Sequence, residues 1–186
     1  VQTYEKMGEL TSGPISSYYY LEAGLVHEHS TQNFAEAYRL YRKSYEAYPS
    51  DGDAFMAYER MLRYHENYEE RVTLYHQRSL NVVEGSHIWL KRACYLAIDN
   101  DDSERALLML ANKPSYLKCL LSKKFDSQDK YQTELSALFE YSTGARKAYI
   151  AWQLGQSYLE ANDATKALEV FRLGASVNVD LFPFAE

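Results

Sequence analysis

Proline and glycine are scarce in this chain, four and eight among 186 residues, and no stretch is rich in Pro, Gly or Ser. A linker of the usual flexible composition is therefore missing, and one continuous body over 1–186 is expected rather than two tethered domains, the alternative being that 112–130 unfolds into a flexible hinge. Cysteine is scarcer still. Cys94 and Cys119 make no disulfide framework, and both sit in apolar surroundings, "RACYLAI" and "YLKCLL". They read as two buried free thiols, a usage that fits the cytoplasm; a single disulfide or a reactive thiol is the other reading.

Long apolar runs are absent too. Nothing approaches the roughly 18 consecutive apolar residues that a membrane span needs. The sequence opens at Val1, so the lack of a basic stretch followed by an apolar one says nothing about targeting. Positive charge is in deficit: the formal net charge is −6. That argues against nonspecific nucleic-acid binding, which needs a positive stripe to displace counterions from phosphates. Short basic pairs such as Lys123-Lys124 and Arg146-Lys147 stand among interspersed acids.

Tyrosine is what the chain has in excess, 18 residues. It is concentrated in runs such as "YYYLEAGLVHEH" (18–29) and "AEAYRLYRKSYEAYP" (35–49). Sliding the chain against itself by 34 residues brings Leu21, Phe55 and Trp89 into register. Tyr41, Tyr75 and Met109 coincide as well, as do Phe34 and Tyr68, with Asp102 breaking the match. Such a period is characteristic of helical repeats. Within a copy the spacing is helical: Phe55, Tyr58, Met61 and Leu62 recur at three and four residues. "STQN" (30–33), "HENY" (65–68) and "DNDDS" (99–103) are polar breaks, while Pro49 with "SDGD" (50–53) supplies a stop, a turn and a cap. Ser127 is expected to cap a helix ending near Tyr141.

Paired helices of this length cannot bury their apolar stripes alone, but stacked pairs can cover one another. A tyrosine suits the seam between them, because its ring packs while its hydroxyl reaches the edge. Tyr41, Tyr68 and Tyr75 fit that role. Tyr18, Tyr19 and Tyr20 cannot all point inward, since consecutive helical residues are about 100° apart.

The segment 151–180 resembles a tetratricopeptide repeat. It carries Leu154-Gly155, Tyr158, Ala167, Phe171 and Gly174, with Asn162-Asp163 in the turn. It departs at Ala151, where the family has an aromatic, and at Val179, where it has proline. Earlier copies are looser: the small-residue site holds Leu25, Glu59 and Ala93. Met109 to Phe171 spans 62 residues, six short of two periods, so 114–147 is an irregular copy. The resemblance implies an all-α fold, a right-handed superhelical array of antiparallel helix pairs with about 8–10 helices. The hairpins are placed at 17–49, 52–83, 86–112, 115–142 and 145–178, the fourth irregular.

Chemistry does not rise above packing. His27 and His29 are too close to share one helix face, and no cysteine or carboxylate around them has metal spacing. Neither a nucleophile elbow nor a calcium loop is present; "DGD" at 51–53 reads as turn and cap. No cofactor or metal is expected, and no catalytic residue is assigned. The resemblance instead implies a groove lined by the first helix of each pair. Its positions fall on Tyr19, Glu22, Val26 and His29, then on Asp53, Met56, Arg60, Arg63 and Tyr64, and last on Tyr149, Trp152, Gln156 and Glu160. Arg60 and Arg63 are placed to fork onto a partner's carboxylates, and Tyr149 or Trp152 to anchor an apolar side chain. The family's clamp for an acidic chaperone tail is absent.

The expected function is a noncatalytic protein- or peptide-binding scaffold or adaptor, alone or as part of a homo-oligomer or larger assembly. The alternatives are an enzyme with its active site in the helical array, a purely structural segment of a larger assembly, and the ligand-sensing part of a larger regulator.

Overall fold

Four of the helices begin in the same way. Asn33, Asn67, Asp102 and Asp163 each accept, through the side chain, the backbone N–H three residues on: Glu36 at 3.3 Å, Glu70 at 3.1 Å, Arg105 at 3.2 Å and Lys166 at 3.1 Å. Immediately before each cap lies a residue with left-handed backbone, Gln32 at φ 52°, Glu66 at 53°, Asp101 at 61° and Asn162 at 61°. A non-glycine residue there ends one helix and reverses the chain, and the cap then satisfies an orphan N–H of the next. The polar breaks of the sequence are thus one turn used four times.

The computed structural model describes residues 1–111 and 114–177. Asn112 and Lys113, in the turn expected to close the third hairpin, lie outside the described residues, as do residue 178 of the last hairpin and Val179. Among the described residues there are eleven α-helices and no strand. They are α1 (Gln2–Leu10), α2 (Gly13–His29), α3 (Phe34–Ala47), α4 (Gly52–Tyr64), α5 (Tyr68–Asn81) and α6 (Ser86–Asp99). Then come α7 (Ser103–Met109), α8 (Tyr116–Phe125), α9 (Gln128–Tyr141), α10 (Gly144–Glu160) and α11 (Ala164–Val177). No helix among the described residues is long and apolar enough to cross a membrane.

The all-α expectation holds, and the count exceeds eight to ten because of α1. That helix buries only Gly8, and its Tyr4, Met7 and Leu10 stay exposed. Its attachment is steric and ionic. Gly8 lies against the Tyr20 ring, the Ser16 hydroxyl donates to the Gly8 carbonyl at 2.8 Å, and Glu5 pairs with Arg39 at 2.7 Å.

The chain divides into two compact units, Val1–Ala106 and Leu107–Glu186. In the first, α1 through α6 pack consecutively, and α2 also touches α4. Phe55, Tyr58, Met61, Leu62, Val72 and Tyr75 are buried between them. Each such side chain contributes about 1.5–3 kcal/mol by leaving water. Gly24 of α2 makes a close approach possible: a Cβ there would lie 2.5 Å from the fully buried Tyr41 ring. Tyr68, by contrast, is half-buried rather than a core residue, because it sits at the first position of α5. Among the three consecutive tyrosines, Tyr20 is buried, Tyr19 half-buried and Tyr18 exposed, as helical geometry demands.

In the second unit α8 packs on α9, α9 on α10, and α10 on α11. Cys119, Tyr131, Leu135, Leu138, Ile150 and Leu154 are part of its core. Gly155 faces Phe171 so closely that any Cβ would enter the ring. The α8–α9 connection differs from the other turns. Asp126 there has φ −109° and ψ −106° and the Ser127 side chain caps α9, where the sequence pattern loses its period. Both cysteines are free and buried.

Candidate functional site

Three carboxylates in the first unit gather the tyrosine hydroxyls. Glu28, on α2, accepts from Tyr41 at 2.5 Å; Glu59, on α4, accepts from Tyr75 at 2.5 Å. Glu70, on α5, accepts from Tyr38 at 2.5 Å, from Tyr58, and from the Asn67 amide at 2.9 Å. Each ring packs in a seam while its hydroxyl reaches an acid on a neighbouring helix, a charge-assisted bond stronger than a neutral one. Burial, then the bond to Glu28, pushes the Tyr41 phenol well above the usual tyrosine range, and burial with Glu70 does the same to Tyr58. Both hydroxyls therefore stay protonated donors.

Two of these acids also hold the arginines that the sequence offers to a partner. Arg60 grips Glu28 with both arms, Nε to Oε1 at 3.1 Å and Nη2 to Oε2 at 2.6 Å. Arg63 Nε donates to Glu59 at 2.5 Å, and Arg71 stands 3.8 Å from the same oxygen. Burial raises the Glu28 pKa, but Arg60 and Tyr41 outweigh it and hold the carboxyl below the usual range. Glu59 occupies the position where the resembled family has a small residue. It is 5% exposed, and Tyr75, Arg63 and Arg71 satisfy its charge where a methyl group would otherwise pack. The Arg60 fork is thus filled from within the chain, whereas Arg63 spends only its Nε on Glu59.

The remaining positions on α2 and α4 are open. Asp53, Met56, Arg60 and Tyr64 follow one another at three, four and four residues, so they form one stripe of α4, and all are exposed. Met56 is 57% and Tyr64 62% exposed, large values for apolar side chains on a packed helix. The Tyr64 ring leans on Phe34 at 5.1 Å between centroids, which fixes its pose. On α2, Glu22 and Val26 are half-exposed and His29 is exposed. Tyr19 is half-buried beside the rings of Tyr18 at 5.5 Å and Tyr4 at 6.3 Å. Because α2 touches α4 and Glu28 bridges to Arg60, the two stripes are neighbours.

In the second unit Tyr149 is exposed on α10, its hydroxyl 3.3 Å from that of Tyr116. Trp152 packs on the core and on Phe171 at 5.4 Å. Gln156 is half-buried. Glu160 is exposed and accepts from Gln128 at 3.2 Å, with Lys123 at 3.7 Å. Gln128 and Gln132, which sequence reasoning passed over, both donate to the Ser157 carbonyl, at 3.3 and 3.0 Å.

Two further features bear on chemistry. Among the described residues no group of three His, Cys, Asp or Glu side chains is placed to hold a metal ion. A cavity of about 120 Å³ between α3, α4 and α5 is lined by Arg42, Tyr45, Glu46, Tyr58, Glu70 and Gln77, among others. Of its two acids, Glu70 is already occupied by two phenols and an amide, and Glu46 is paired with Arg42 at 2.8 Å. Compared with known proteins, the chain matches no family model, and no curated protein matches it.

Proposed function

We propose that the chain is a noncatalytic protein- or peptide-binding module built of tetratricopeptide-like helix pairs, and that α2 and α4 carry its docking face. The observation that supports this most directly is the exposed stripe of α4, with Met56 and Tyr64 presenting apolar surface beside α2. Apolar and aromatic side chains held in one pose are the usual anchors of a binding surface. Tyr64 is held by Phe34, and the α2–α4 edge is stiffened by the Arg60–Glu28 fork. The repeated turn at Gln32, Glu66, Asp101 and Asn162 and the direct contact of α2 with α4 support a stacked-repeat architecture. On this reading the tyrosine excess is packing material, and partner recognition is left to the side chains that packing does not use.

Selection of peptides from a random display library on the full chain tests the proposal. Enriched peptides are expected to lose most of their affinity for the Met56→Ala/Tyr64→Ala variant, with its helical content unchanged. Enriched peptides that bind this variant as well as the parent would refute the docking face.

A further inference from the structure

Resting on the docking reading above, we infer that the α2–α4 face takes a cationic segment in which Lys or Arg alternates with apolar side chains. An acidic segment is what the sequence alone suggests, through Arg60 and Arg63. Three observations favour the opposite charge.

First, both arginine charges are matched internally: Arg60 by Glu28 at 2.6 Å and Arg63 by Glu59 at 2.5 Å. At Arg60 an acidic ligand would have to displace a fork-geometry carboxylate that also accepts a tyrosine hydroxyl, leaving that carboxylate uncompensated, while Arg63 meets Glu59 through Nε alone. Second, the acids on the same stripes are free. Among the described residues neither the Glu22 nor the Asp53 side chain has a cation within ion-pair distance, and Asp53 is exposed at one end of the α4 stripe while Tyr64 is exposed at the other. Third, the whole formal charge of the chain belongs to this unit. Residues 1–106 hold 11 Lys and Arg against 17 Asp and Glu, a net −6, whereas residues 107–186 hold nine of each and are neutral.

The resulting surface is an apolar stripe with unpaired negative charge beside it. Fields of this kind act over about 8–10 Å at ordinary ionic strength, so Glu22 and Asp53 bear on any ligand lying along the stripe. Tyr64 adds an exposed ring face on which a Lys or Arg can rest.

Three fluorescein-labelled 12-residue peptides test the inference against the full chain by anisotropy. They share the same Leu and Phe positions and carry Lys, Glu or Gln at all others. The Lys peptide is expected to bind about tenfold or more tighter than the Glu peptide, with a preference that shrinks as salt rises. Glu22→Gln with Asp53→Asn is expected to remove most of that preference. Glu28→Gln, which frees Arg60, is expected to raise the affinity for the Glu peptide.

Equal or tighter binding of the Glu peptide, lost in Met56→Ala/Tyr64→Ala, overturns the charge assignment and leaves the docking face standing. So does a Lys preference that survives Glu22→Gln/Asp53→Asn. Failure of all three peptides to bind, or binding indifferent to Met56→Ala/Tyr64→Ala, overturns the docking face and the charge assignment together.

Discussion

The Tyr75 hydroxyl donates at 2.5 Å to the Glu59 carboxylate, joining α5 to α4 at a point where both side chains are almost fully buried. A buried acid is costly unless every acceptor is used. Here the phenol, the Arg63 Nε and the nearby Arg71 all gather at one of its oxygens, Oε1. The tyrosine is therefore a structural donor whose ring fills the seam and whose oxygen balances a charge.

Tyr75→Phe is expected to lower unfolding stability by about 1–3 kcal/mol, since it removes a donor from a buried carboxylate and little volume. Glu59→Gln in the same background is expected to cost less than it does alone. A double-mutant cycle by urea denaturation reads the coupling, expected at about 0.5–3 kcal/mol. A coupling of zero would show that the two groups do not act on one another.

Acid sensitivity follows from Glu28 and Glu5. Burial pushes Glu28 up, but the Arg60 and Tyr41 bonds win; at Glu5 the Arg39 bond leads and holds the carboxyl down. A folded-state pKa below the unfolded one means stability that is fully present above the unfolded value. It is lost as pH falls through the lowered folded value. Parent and Glu28→Gln should thus differ most near neutral pH and converge on the acid side of the ordinary carboxylate range. Denaturation midpoints measured from pH 7 to pH 2 check this; a difference that grows toward acid has the wrong sign for the account.

The thiols report on the two units separately. Burial pushes both Cys94 and Cys119 up to about 11, the Glu134 charge adding to the effect at Cys119. Native protein at pH 8 is expected to resist iodoacetamide over a time that labels the unfolded chain completely. Pulsed labelling along a urea gradient, resolved by peptide mass, should give each thiol its own transition. Rapid labelling of either in the native protein would mean that its unit opens without unfolding.

Much of the fold was legible because burial repeats. The 34-residue recurrence of large apolar residues marks helix faces. Phe55, Tyr41 and Tyr75 are buried as that pattern requires, Leu21, Phe34 and Trp89 of the same register are half-buried, and Asp51 and Ser127 cap α4 and α9 where polar residues interrupt it. Helix α1 lies ahead of the first repeat copy, and what holds it, Gly8 against Tyr20, Tyr4 against Tyr19 and Glu5 with Arg39, has no counterpart in the period. Likewise, Tyr68 was assigned to the core by its period alone, without regard to its place at a helix start.

Local pattern alone thus determined that this chain is helical, where the helices after α1 break, and which rings go inside apart from Tyr68, because those properties depend on neighbours three and four residues away. Only the tertiary structure decided what the polar ends of those residues meet. Arg60 finds Glu28, 32 residues distant, and Tyr38 finds Glu70 over the same separation. No periodicity encodes such pairings, since they depend on which helices stack and at what offset. The same pairings tie Arg60 to Glu28 and Arg63 to Glu59, contacts that no reading of α4 by itself contains.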